Sequence, residues 1–252
     1  MTHAAESGHW YHKDGKPCYE VAAKSGEMRP TTLRDARKLD LVPSVTTIIR
    51  LAAAPGLEYW KQQQVLHAAL TLPKIEGESE DVYLSRIMRD SKEQGKKAAE
   101  RGTAIHAALQ GFYQGEDLRD HQDHVFATVD AVEKAFGGNA WKAELSFAHP
   151  SGFGGKCDLS SDQCVIDFKT KEFDENTKLE TWDEQHMQIA AYREGLGLPQ
   201  AKGAIVYVSV NNPGLVKVLE ISRSDLEKGF KMFSALLAYW KAKVGMGEND
   251  ER

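Results

Sequence analysis

The stretch Cys164-Val165-Ile166-Asp167-Phe168-Lys169-Thr170 decides how this chain is read. At a period of two, Cys164, Ile166 and Phe168 share one face, and Val165, Asp167 and Lys169 share the other. A short apolar run thus presents a carboxylate and an ammonium side by side at the end of a strand built for burial. Upstream, Gly154-Gly155-Lys156-Cys157-Asp158-Leu159 reads as a glycine-rich turn opening into a second strand with another carboxylate. Earlier still, Trp141-Lys142-Ala143-Glu144-Leu145-Ser146-Phe147 alternates, its odd positions apolar and Glu144 on the opposite face. Three neighbouring strands would bring Glu144, Asp158, Asp167 and Lys169 together.

Carboxylates held at close range repel one another, and a divalent cation is the usual remedy. Such a cation acidifies water and offsets charge on a phosphoryl oxygen, which is what phosphodiester hydrolysis requires. A lysine one pleat away can orient the attacking water and stabilise developing negative charge. Any one of these residues alone is better explained as an ordinary surface ion pair. The joint pattern is far more specific.

In order along the chain, a glutamate strand (Glu144), Gly155-Lys156-Cys157-Asp158, Asp167-Phe168-Lys169 and Gln188-Ile189-Ala190-Ala191-Tyr192 follow one another. Gly102-Thr103-Ala104-Ile105-His106 precedes them. This succession resembles the PD-(D/E)XK nuclease superfamily, in particular its RecB- and Cas4-like branch with phage and mitochondrial single-strand exonucleases. The resemblance covers roughly residues 95 to 210. It implies an α/β fold in which a central mixed sheet of the restriction-endonuclease type is flanked by helices, with a largely helical N-terminal elaboration. It also implies a metal-dependent deoxyribonuclease that binds Mg²⁺ or Mn²⁺ through His106, Asp158, Asp167 and the backbone carbonyl of Phe168. Glu144 would act through water or at a second metal, and Lys169 would position the nucleophile. Gln188, Tyr192, Thr170 and Lys171, with Lys96, Lys97 and Arg101 on the preceding helix, would contact DNA. Single-stranded ends are the favoured substrate, in DNA recombination or repair. A structure-specific or restriction-type endonuclease and a non-catalytic nucleic-acid-binding module are the alternatives. A cytoplasmic setting, bacterial or phage-encoded in a host cell, goes with this reading.

Composition narrows the field without choosing a function. Of 252 residues, 27% are charged and 41% hydrophobic, as in an ordinary globular protein. No apolar run is long enough to span a bilayer, and Met1–Glu6 shows no basic segment leading into an apolar one, so no membrane association or signal peptide is expected. A net charge of −5 argues against coating nucleic acid by bulk charge, but not against a site with local cations. Three cysteines, Cys18, Cys157 and Cys164, suit a reducing compartment and are too few for a four-cysteine iron–sulfur cluster.

A single domain over 1–252 is expected, divided into an elaboration (1–94), a core (95–221) and a C-terminal helix with its tail (222–252). Trp10–Tyr19 reads as a hairpin turning at Asp14-Gly15, with Pro17 on a sheet edge. Residues 22–40 read as loop with a helical turn near Leu33–Leu39, and Ser44 as the cap of a helix. Ala54-Pro55-Gly56 breaks the chain before a helix over Leu57–Leu70. Ser79–Tyr113 is helical with a break near Ser91 or Gly95, and Ala98, Gly102, Ile105, Leu109 and Phe112 form its buried stripe. Leu118–Phe136 is helical, with His121 and His124 as a surface pair, and Gly195 closes a helix that begins at Trp182. Ala204–Val210 reads as an inner strand and Leu215–Ile221 as an edge strand. Ser224 to Glu227 caps a final amphipathic helix.

Overall fold

The computed structural model describes residues 9–53 and 55–246. The first eight residues, Ala54 in the expected chain break and the end of the tail lie outside them. Four short strands and two short helices come first: β1 (Trp10–Tyr11), β2 (Glu20–Ala22), β3 (Met28–Pro30), α1 (Leu33–Leu39), β4 (Val42–Pro43) and α2 (Val45–Ile49). Two longer helices follow, α3 (Pro55–Thr71) and α4 (Glu80–Tyr113), and then α5 (Gln122–Phe136). Next come β5 (Lys142–His149), β6 (Phe153–Ser160), β7 (Cys164–Lys171), α6 (Asp183–Gly195), β8 (Lys202–Ser209), β9 (Val216–Ile221) and α7 (Arg223–Val244).

A five-stranded mixed sheet, ordered β5-β6-β7-β8-β9, forms the centre. Hairpins make β5/β6, β6/β7 and β8/β9 antiparallel, and the α6 crossover makes β7 and β8 parallel. The alternation of β7 sorts the two faces. Val165 packs with Ile189 of α6, Phe233 of α7 and Val45 of α2. Cys164, Ile166 and Phe168 pack with Ile105 of α4 and Val125 of α5. The expected architecture, a central mixed sheet between helices, is therefore what the chain forms. Among the described residues no helix is long and apolar enough to cross a membrane.

Several local expectations are corrected. Residues 20–30 are not loop: β2 and β3 pair around Gly26, whose φ of +88° suits glycine alone. The N-terminal elaboration therefore opens with short strands, and it is helical chiefly from α3 onward. Helix α4 runs unbroken, because Ser91 returns its hydroxyl to the Met88 carbonyl at 3.0 Å and the Trp60 ring covers Gly95. Helix α5 starts at Gln122, not Leu118, and His124 is buried rather than on the surface. Gly195 ends α6 as read, with Leu196 as the cap, and a Cβ there would lie 1.9 Å from the Phe147 ring. Ser222, not Ser224, caps α7 by accepting from the Asp225 N–H at 3.1 Å. The Ser44 cap, the helical turn over Leu33–Leu39 and the Asp14-Gly15 turn form as read, although β1 takes β4 as its ladder partner.

Candidate active site

The site arises where two strands part. β6 pairs with β7 only through Leu159–Ile166 and Ser160–Val165. The next residues in line are Asp158 and Asp167, and there the ladder stops. Asp158 Oδ2 instead accepts a hydrogen bond from the Phe168 N–H at 2.9 Å, so a side chain takes the place of a strand carbonyl. Two carboxylates thereby face one another across an opening in the sheet.

Asp167 is buried between Lys169 and α6. The Lys169 ammonium lies 2.5 Å from its Oδ2, and Gln188 Nε2 donates to its Oδ1 at 2.7 Å. Lys169 also donates to Gln188 Oε1 at 3.3 Å, which closes a ring of three side chains. Gln188 lies on α6 because its helical neighbours Ile189 and Ala191 are core residues, so the helix that seals the hydrophobic layer also delivers the amide. Tyr192, four residues on, receives a second hydrogen bond from Gln188 at 3.0 Å and is buried against Phe147. Both members of the expected Gln–Tyr pair therefore stand behind the carboxylates, oriented toward Asp167 rather than outward.

Helix α4 supplies the other wall. His106 Nδ1 is 3.6 Å from Asp158 Oδ2, and its ring stands edge-on to Phe168. Gly102 makes this approach possible: a Cβ there would come within 2.4 Å of Thr170 Oγ1 at the end of β7. Thr170 is thus committed to the helix contact, while Lys171 is exposed at the strand end. Arg101 reaches Glu172 at 2.9 Å, and Lys96 and Lys97 are exposed and pair within their own helix with Glu100 (3.7 Å) and Glu93 (3.2 Å). These three cations therefore lie outside the carboxylate cluster.

On the far side, Glu144 is ion-paired with Lys156. Its φ of +56° is unusual for a strand residue that is not glycine. The expected alternation of β5 breaks there: Trp141 and Ala143 pack in the α4/α5 layer, Phe147 in the α6/α7 layer, and Leu145 is exposed. Lys156 was not expected at the site. It shares a face with Asp158 two residues on and lies diagonally across the β5/β6 ladder from Glu144, a spacing at which long side chains meet.

The charges form a row, Lys169–Asp167, then Asp158, then Glu144–Lys156. Each outer carboxylate has its own lysine, and the middle one has a backbone N–H and a histidine. Burial, followed by the Asp167 charge, raises the pKa of Asp158. Burial lowers that of His106, against the pull of Asp167, and keeps the imidazole neutral near pH 7. For Lys169, burial opposes the charge but the carboxylate of Asp167 outweighs it, and the pKa ends raised.

Among the described residues no three His, Cys, Asp or Glu side chains form a ready-made metal cage. The donor set nevertheless suits a hard divalent ion. Two carboxylates face one opening, Asp167 is buried with Lys169 as the partner of its Oδ2, and a neutral imidazole adjoins Asp158. A cavity of about 840 Å³ between α4 and the loop that follows it, lined by Phe112, Glu116 and His121, includes none of these groups.

No family model matches this chain, and no curated protein does. Among solved structures, a protein from Eubacterium rectale provisionally named an exonuclease superposes with a TM-score of 0.41 at 11% identity, over 59% of this chain and 69% of its own. The alkaline exonuclease LHK-Exo from Laribacter hongkongensis superposes with a TM-score of 0.41 at 14% identity, over 80% of this chain and 89% of its own.

Proposed function

We propose that this protein hydrolyses DNA phosphodiester bonds with the help of a divalent cation, Mg²⁺ or Mn²⁺, and that it works from single-stranded ends. The observation that carries this reading is the parting of β6 from β7 at Asp158 and Asp167, with Lys169 fixed beside them. Asp158, Asp167, His106 and the Phe168 carbonyl would hold the cation, which supplies Lewis acidity and offsets phosphoryl charge.

This chain's own residues do the rest. Gln188 clamps Asp167 and Lys169 together, so the ammonium is presented in one orientation before substrate arrives. A preset donor spends no reorganisation energy when negative charge develops, and Lys169 is placed to orient the attacking water and stabilise that charge. Tyr192 fixes the amide of Gln188 from behind. Phe168 excludes water with its ring and holds Asp158 with its N–H. Lys96, Lys97, Arg101 and Lys171 are the exposed cations for the DNA backbone, and a strand reaching the site would pass Thr170.

The test is to incubate end-labelled linear DNA and covalently closed circles, single- and double-stranded in parallel, with Mg²⁺ or Mn²⁺. Rapid loss of linear single strands with intact circles is the expected result. Cleavage of closed single-stranded circles at the same rate replaces the exonuclease by an endonuclease. Binding without hydrolysis under every metal leaves only a nucleic-acid-binding module.

A further inference from the structure

Glu144 is the one residue other than glycine with a positive φ inside a strand among the described residues. The left-handed backbone falls where β5 changes face, and the apolar residues before and after it pack on opposite faces of the sheet. The distortion places the carboxylate of Glu144 against the ammonium of Lys156, and both side chains are largely withdrawn from solvent, at 18% and 36% exposure. A strained backbone that persists must be over-determined by its surroundings, and here a charge pair next to Asp158 is its product.

We propose that Lys156 is a built-in substitute for a second cation: the site takes one divalent ion, between Asp158 and Asp167, and Lys156 keeps Glu144 out of the ligand set. This rests on the metal-dependent reading above and specifies it. Glu144 lies level with Asp158 in the β5/β6 register, flanked by Ala143–Leu159 and Leu145–Cys157, so its carboxylate could otherwise complete a second binding position. With the ammonium already on it, Glu144 has no charge left to offset. A dication entering there would have to break the ion pair and then face the Lys156 charge at short range in a poorly solvated place. The outer lysine at the other end, Lys169, pairs just as directly with Asp167, at 2.5 Å, but it shares that carboxylate with Gln188, whereas Lys156 is the only side chain paired with Glu144 among the described residues.

The experiment is calorimetric titration of the full chain with Mn²⁺, paired with electron paramagnetic resonance of the bound ion. Wild type should bind one Mn²⁺ with no Mn–Mn coupling. Lys156→Met keeps the length and removes the charge, so a second Mn²⁺ should bind and spin coupling should appear. Glu144→Gln with Lys156→Met leaves no unpaired charge behind and should return the count to one, which guards against a single variant that folds poorly. Two ions in wild type, or one in a folded Lys156→Met, overturn the proposal and leave metal dependence standing. No bound Mn²⁺ in wild type overturns the metal-dependent reading itself, and this proposal with it.

Discussion

The opening between β6 and β7 and the helical hairpin of α3 and α4 are both rich in charge, yet they use it in opposite ways. From Pro55 to Arg101 the chain carries eight lysines and arginines against eight acidic residues. Most of its ion pairs join residues close in sequence, as in Lys61–Glu58, Lys97–Glu93 and Lys96–Glu100, and lie open to solvent. Such pairs are screened and contribute little, typically about 0–1 kcal/mol. In the sheet, Asp158, Asp167, Lys169, Glu144 and Lys156 come from three strands and are partly or wholly withdrawn from water. There a charge costs far more to bury, and it persists only with a partner or a task. Density of charge along the sequence is thus a poor guide to function, and convergence of charge within a core is a good one.

The largest effect that would sharpen this contrast is at Asp167 and Lys169. Asp167→Asn should abolish hydrolysis and weaken Mn²⁺ binding. Lys169→Met should keep Mn²⁺ affinity but lose on the order of 10²–10³ in rate, the usual worth of one preset donor. Single-turnover cleavage beside metal titration separates the two, and full activity in either folded variant removes the opening from consideration as an active site.

Next in size is His106. Imidazole suits Mn²⁺ better than Mg²⁺, so His106→Ala should cost Mn²⁺ affinity more than Mg²⁺ affinity. Equal affinities for both metals before and after the change would return His106 to a wall residue packed on Phe168.

The joint between the two regions is Gly102. Gly102→Ala drives a methyl toward Thr170 Oγ1 and should destabilise the fold by about 1–3 kcal/mol through overpacking. Adding Thr170→Ala should recover much of that loss in denaturant unfolding. Additive losses in the double variant would show that the close approach of α4 to β7 is not set by this pair.

The smallest effect is expected on the hairpin. Lys96→Ala with Lys97→Ala should leave stability within about 0.5 kcal/mol of wild type, as surface changes do. If both lysines meet phosphates, the slope of log binding constant against log salt for a single strand becomes shallower by roughly 0.7 for each phosphate no longer neutralised. An unchanged slope would assign their charge wholly to Glu93 and Glu100.

Much of the sheet was legible because a strand buried on one or both faces advertises itself by period. β8 appears in sequence as an apolar run over 204–208, and β7 as a shorter one over 164–166 that ends at Asp167, and their central positions follow from that. The long α4 was legible from its stripe of small and apolar residues. Its expected break was not real, since the Ser91 hydroxyl returns to the Met88 carbonyl within the helix and the Trp60 ring of α3, which local sequence cannot show, covers Gly95. The β2/β3 pair escaped notice because three-residue polar strands carry no periodicity to read. His124 was misplaced for a similar reason, as its burial depends on what α5 packs against.

By itself the sequence determined which residue types would meet on which strands. Asp158, Asp167, Lys169, Gln188 and His106 could be named from spacing and resemblance, because strand and helix periods dictate the face a side chain occupies. Only the tertiary structure decided how they are shared out. It ended the β6/β7 ladder at Asp158, turned Tyr192 inward behind Gln188 and left Lys96 and Lys97 to their own helix. It also broke the alternation of β5 at Glu144 and gave that carboxylate to Lys156. The physical reason is that alternation along a strand is a local property, whereas the end of a ladder, a positive φ and the partner of a charge are set by what packs on the other side.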